Sequence, residues 1–266
     1  MSKARQNFNQ AANDNAPDPD AMLLMAAENG DLAEVKKWLG KGANINARDR
    51  FQNTPLHLSA KEGHEDVVEH LLKEEADLTL INNFNRNALL ESLREHQNDK
   101  IVLALIEAGS PLNGQDTHSN TAAYYAAQDD RPVVMTALAD KGADLTIASK
   151  GTTPLIHATK FQHTDVIRAM MGHNTALDHQ DSSGMTALMH AASSNNLLLA
   201  GSYIAMKANV MLYNTDKKRA SEIARERGHD AMAVMIEKAE AEILKPIQNG
   251  VSGVKRLKTA KFKPVT

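Results

Sequence analysis

The stretch TPLHLSAKEGHEDVVEHLLKEEADLTLI, Thr54 to Ile81, reads as helix, tight turn, helix and return loop. Thr54 is a good N-cap, because its hydroxyl can accept from an orphan backbone N–H of the first turn, and Pro55 follows where a missing N–H is harmless. Gly63 can take the left-handed conformation that ends the first helix, and Glu65 and Asp66 then place negative charge at the positive end of the second. Val67, Val68, Leu71 and Leu72 fall on one stripe at helical spacing, so the second helix has a single apolar face to bury. At about two to three turns each, neither helix is stable alone. The unit requires neighbours.

The neighbours are in register. Sliding back 33 residues sets Leu23, Ala26, Ala27, Gly30, Val35, Trp38 and Leu39 on the same slots. Forward, the slots recur at Asn87–Leu93 with Ile101–Asn113, and at Thr121–Ala127 with Val133–Ile147. They return at Thr152–Ala158 with Val166–Met171, at Gly184–Ala192, and in a more polar form at Arg219–Ala239. A period near 33 marks a helical solenoid, in which each unit buries its face against the next. Two copies break the spacing. Asn87 to Thr121 is 34, which puts an extra residue in the turn Arg94–Asp99, and Thr121 to Thr153 is 32, which shortens the loop around Ala148–Thr152.

The motifs TPLHLSAKEGH with DVVEHLL, GADLT at Gly142–Thr146 and GANINA at Gly42–Ala47 resemble the ankyrin-repeat pattern over about residues 20–242. The resemblance implies an all-α solenoid of stacked helix-turn-helix repeats, with loop or β-hairpin fingers along one edge and a concave face where such proteins bind. It also implies that His57 hydrogen-bonds between neighbouring loops, and that His64, His163 and His229 are turn histidines. About seven repeats are expected, at 20–48, 49–81, 82–115, 116–147, 148–180, 181–213 and 214–243, the first and last being charged caps. Residues 1–19, rich in Asn, Gln, Ala and Asp, are expected to be a disordered leader that is not a signal peptide.

The chain carries −3 overall, yet residues 244–266 hold six Lys or Arg and no acid, so residues 1–243 carry −9. The tail is therefore expected to be a separate, disordered basic segment. Only Lys245 to Lys263 offers an attachment for nucleic acid or anionic membrane. There is no cysteine and no apolar run long enough to span a bilayer, which fits a cytoplasmic protein, export by a route that needs no signal peptide remaining open.

Eleven histidines invite a metal reading, but His157 and His190 lie 33 apart on adjacent repeats, about 8–10 Å apart by helix packing, too far for Zn–N bonds of about 2.0–2.1 Å unless both reach inward. No phosphate loop, nucleophile elbow or H-E-x-x-H is present, so neither a catalytic residue, a metal, a cofactor nor a small-molecule substrate is expected. The sharper signal is aromatic. Phe51 and Phe84 are 33 apart at one finger position, His118 is the next equivalent, and Phe161 falls late on a first helix facing the presumed groove. Aromatic side chains recurring on one edge suit binding anchors, with Arg50, Arg86, Arg94 and Glu95 as a polar rim. The mixed charge lacks the continuous positive stripe that double-stranded nucleic acid needs. The expected function is a non-catalytic adaptor or inhibitor holding a protein partner on its concave, finger-bearing surface. The competing reading is a secreted or tethered effector that works through its basic tail.

Overall fold

The computed structural model describes residues 17–94 and 98–250. These fall into two compact units divided between Ser182 and Ser183. The first unit consists of five helix pairs: α1 (Pro19–Glu28) and α2 (Leu32–Gly40), α3 (Pro55–Glu62) and α4 (Glu65–Lys73), α5 (Ala88–Ser92) and α6 (Asp99–Glu107), α7 (Ala122–Gln128) and α8 (Pro132–Asp140), α9 (Pro154–Phe161) and α10 (Thr164–Met170). The second holds α11 (Ala187–Ser193), α12 (Leu197–Ala205), α13 (Ala220–Glu226) and α14 (Asp230–Gly250).

The caps form where the sequence puts them. Thr54 Oγ1 accepts from the His57 N–H at 3.4 Å. Asn87, Thr121, Thr153 and Thr186 cap their helices in the same way, through Leu90, Tyr124, Ile156 and Met189. Gly63 ends α3 at φ 82°, a left-handed conformation that a Cβ disfavours. Val67, Val68 and Leu71 are fully buried and Leu72 partly so. In the first unit the second helices pack in a continuous row, α2 on α4, α4 on α6, α6 on α8 and α8 on α10, while α1 packs on α3, α3 on α5 and α7 on α9. In the second unit α11 packs on α12 and α13, and α14 on α12 and α13.

Histidines stitch neighbouring repeats. His57 sits between loops as expected: the Thr54 N–H donates to its Nδ1 at 3.3 Å, so its Nε2–H donates to the Arg86 carbonyl at 3.0 Å. Burial pushes this imidazole down, against the upward pull of the Arg86 bond. The turn histidines share one task, tying a turn to the preceding first helix: His64 to the Glu28 carbonyl at 2.9 Å, His163 to Ala127 at 2.8 Å and His229 to Ala192 at 3.0 Å.

The structure refines two expectations. No strand occurs among the described residues, so the fingers are loops and not β-hairpins; the one isolated bridge, Ser149 with Thr152, closes the shortened finger. That finger is closed over four residues, Ser149–Thr152, where Asp49–Asn53 and Asp116–Asn120 span five. The boundary placed at residue 243 falls inside α14, which runs to Gly250, because a proline removes one helical hydrogen bond and need not end the helix. The leader up to residue 16 and the tail from residue 251 lie outside the described residues. Among those described, no helix is long and apolar enough to cross a membrane, and no cluster of His, Asp or Glu is arranged to hold a metal ion.

Candidate partner-binding groove

The fingers are set by a side chain that the aromatic pattern overlooks. Asp49 Oδ1 accepts from the N–H groups of Phe51 and Asn53, both at 2.8 Å. Asn82 does the same for Phe84 and Arg86, at 3.0 and 3.1 Å, and Asp116 for His118 and Asn120, at 2.8 and 3.0 Å. An Asp or Asn two residues before the aromatic thus folds the loop into a fixed shape, with Gln52, Asn85 and Ser119 left-handed at its tip. Adjacent fingers are joined by backbone bonds, from Asn83 N–H to the Phe51 carbonyl at 2.9 Å and from Thr117 N–H to the Phe84 carbonyl at 3.1 Å. Phe51, Phe84 and His118 are consequently held in a row. Each phenylalanine carries a guanidinium over its ring, Arg50 at 4.7 Å from Phe51 and Arg86 at 5.2 Å from Phe84.

Together with α1, α3 and α5 this row bounds a groove of about 1010 Å³. Phe51, Phe84, His118, Arg50, Arg86 and Arg94 all line it, and Met25 and Leu58 add apolar surface. Phe51 and Phe84 are 41% and 44% exposed, enough apolar area to be covered by a partner.

Arg86 overturns one expectation. Its side chain is only 6% exposed, and it is not an open rim residue. It lies between two carboxylates, 3.4 Å from Glu91 Oε1 and 3.4 Å from Asp116 Oδ2, which are themselves 4% and 0% exposed. A guanidinium is drawn inward here because two buried acids would otherwise be uncompensated. Burial pushes the Asp116 carboxyl up, but the Tyr125 hydroxyl at 2.7 Å, the Asn120 and His118 N–H groups and the Arg86 charge outweigh it and hold it below the ordinary carboxylate range. Asn82 Nδ2 bridges Glu91 at 2.7 Å and Asn53 at 2.8 Å, carrying the network into the preceding finger. Glu91 occupies the slot that Leu58 fills one repeat earlier, and Glu91 Oε2 is buried without a hydrogen bond. The sequence signal was a carboxylate in an apolar slot.

Phe161 stands apart from the row. It is 56% exposed and stacks on His157 at 4.7 Å, with Tyr124 edge-on to His157 at 5.2 Å and His163 6.1 Å from Phe161. Burial lowers the His157 pKa, and the nearby His163 adds to it. The structure therefore brings together Phe51, Phe84, His118, Arg50, Arg86 and Arg94, and leaves Phe161 in a separate aromatic cluster two repeats on. Glu95 lies outside the described residues.

A model of ankyrin repeats in three copies matches residues 23–116, 95–181 and 123–214. The chain belongs to the ankyrin-repeat family. Among curated relatives, it is 26% identical over 238 residues to the ankyrin repeat and KH domain-containing protein mask-1 of Caenorhabditis elegans, covering 87% of this chain and 9% of that protein. It is 42% identical over 62 residues to the human ankyrin repeat domain-containing protein 49, covering 23% of this chain and 26% of that one. The chain spans less than a third of the length of the curated relatives it matches. Among solved structures, the ankyrin repeat domain of Bcl-3, described as a member of the IkappaB protein family, aligns with a TM-score of 0.68 at 23% identity over 79% of this chain and 96% of that one. The human ASB11 ankyrin repeat domain aligns at 0.62 and 21%, over 80% and 96%. At those identities the likeness concerns the fold. Ankyrin repeats are, in general, protein-interaction scaffolds and not enzymes.

Proposed function

We propose that this protein is an adaptor or inhibitor that holds a segment of a protein partner in the groove between its first three repeats. The observation that carries this is the row of Phe51, Phe84 and His118, held at fixed spacing by Asx-folded fingers and facing Met25 and Leu58 across one groove. Half-exposed aromatic residues on a rigid frame are the usual hot spots of an interface, since little side-chain entropy is lost when they are covered. Arg50 and Arg94 supply the polar rim, and the buried Arg86 acts through the floor. Phe161 then serves a different surface or none.

The test compares affinity captures made with the intact chain, a Phe51→Ala/Phe84→Ala variant and a Phe161→Ala variant. At least one specific protein should be retained by the intact chain and by Phe161→Ala, and lost from the double variant. Identical captures from all three would sink the groove as the binding site.

A further inference from the structure

We infer that Asn113 is a self-modifying site: its side-chain amide is attacked by the backbone nitrogen of Gly114 and lost as ammonia, leaving aspartate or isoaspartate in the loop between α6 and the third finger. Asparagine precedes glycine at Asn29–Gly30, Asn113–Gly114 and Asn249–Gly250, and a glycine without a Cβ lets its nitrogen approach the preceding side chain. The third pair closes α14, whereas the first two lie in turns that the fold treats differently. Asn29 ends α1 at φ −85° and ψ −6°, a helical conformation that turns the Gly30 nitrogen away from the side-chain carbon, and the Gly30 N–H is already donated to the Ala27 carbonyl at 3.4 Å. Asn113 is exposed and lies outside the helices, and the Gly114 N–H donates to no group among the described residues.

The carbon under attack is also polarised. The Asp144 N–H of the next repeat donates to Asn113 Oδ1 at 2.8 Å, so a donor already points at the oxygen that takes up charge when the nitrogen adds. The Gly114 nitrogen loses its proton and bonds to Asn113 Cγ, the Cγ–Nδ2 bond breaks, and Nδ2 departs with that proton as ammonia, leaving a cyclic imide. Water then adds to either imide carbonyl, giving aspartate, or isoaspartate with the main chain rerouted through the side chain. Asn46 is the internal control. Its Oδ1 accepts from the Asp77 N–H at 3.0 Å in the same way, but Ala47 follows, and the Ala47 N–H is committed to the Asn44 carbonyl at 2.8 Å. Isoaspartate at 113 inserts an extra carbon between the Pro111 carbonyl, held by Asn87 Nδ2 at 3.0 Å, and the Gln115 carbonyl, held by Asn85 Nδ2. Asp116, which folds the third finger and compensates Arg86, comes next along the chain. The modification is therefore a slow covalent loosening of that finger.

The test incubates the full chain in mildly alkaline buffer and follows each asparagine by peptide mapping with mass spectrometry. Asn113 should convert to a mixture of aspartate and isoaspartate with matching release of ammonia, while Asn29 and Asn46 lag by about tenfold or more, since one aimed donor alone is worth about 100-fold or more in an active site. In guanidinium, where the fold is gone, Asn29 and Asn113 should convert at similar rates. Gly114→Ala keeps the fold, because φ there is not left-handed and the added Cβ meets only Leu90 Cδ1 at 3.9 Å and Asn87 Nδ2 at 4.0 Å, ordinary contacts. That variant should slow conversion at Asn113 and leave Asn29 unchanged. The isoaspartyl form, separated by ion exchange, should unfold at lower urea than Asn113→Asp, which has no extra carbon in its main chain. Equal rates at Asn29 and Asn113 in the folded chain, aspartate as the sole product, or a Gly114→Ala rate equal to wild type would each overturn the inference. Equal urea midpoints for the isoaspartyl form and Asn113→Asp would overturn its link to the finger.

Discussion

Replacing Arg86 by methionine isolates the physics under the groove. The guanidinium is 6% exposed and stands 3.4 Å from each of two carboxylates that are 4% and 0% exposed. Methionine keeps the volume but leaves two buried negative charges uncompensated, and breaking a buried pair in that way costs about 3–5 kcal/mol. The lower end applies here, because Asp116 keeps the Tyr125 hydroxyl and two backbone N–H donors, and Glu91 keeps Asn82. A loss of about 3 kcal/mol, at a urea slope of about 3 kcal/mol per molar, moves the unfolding midpoint down by about 1 M, followed by far-UV circular dichroism. Adding Glu91→Leu should then restore part of the loss, because it removes one stranded charge and installs the residue type that Leu58 already provides in the equivalent slot one repeat earlier. A midpoint for Arg86→Met within about 0.2 M of wild type would show that the buried network contributes little. Strict additivity of the two substitutions would show that Glu91 and Arg86 are not coupled.

Other outcomes follow from the same structure. His57 and His157 are both held below the ordinary imidazole value, chiefly by burial, so their neutral forms favour folding. That contribution is complete above about pH 6.5 and is lost as pH falls from there to the lower folded values, so the urea midpoint should decline between pH 7.5 and 5, and a flat profile would contradict the assignment. Gly184 sits at φ 69°, where an added Cβ would lie 2.7 Å from the Thr215 nitrogen, the group that donates to the Ser183 carbonyl at 3.1 Å. Gly184→Ala should therefore cost about 1–3 kcal/mol in the second unit, seen as earlier urea unfolding, and a neutral effect would mean that the loop gives way freely.

The repeat was legible because it is built from local rules. A Thr or Asn cap, a proline at the first helical position, a left-handed glycine and an apolar stripe each act within one or two turns of chain, so the order of residues alone specifies them. The row Phe51, Phe84 and His118 was equally readable, since a spacing near 33 residues places equivalents side by side once helix pairs stack. Asp49, Asn82 and Asp116 before them obey the same spacing, but an Asp or Asn in a polar loop is commonplace by residue type, and only the folded finger shows its oxygen holding the backbone beneath the ring.

Other features had no local signature. Arg86 reads as a surface cation by residue type, and only packing shows that Glu91 from α5 and Asp116 from the next finger converge on it, 5 and 30 positions away along the chain. Whether Phe161 joins the row or stands with Tyr124, His157 and His163 depends on how far its helix lies from the first three repeats, which periodicity cannot tell. The order of amino acids thus specified the helices, their stacking and the finger row, because those are repeated short-range preferences. Which charges are buried and which side chains converge beneath the groove was decided by three-dimensional packing, because a charge's energy depends on everything around it.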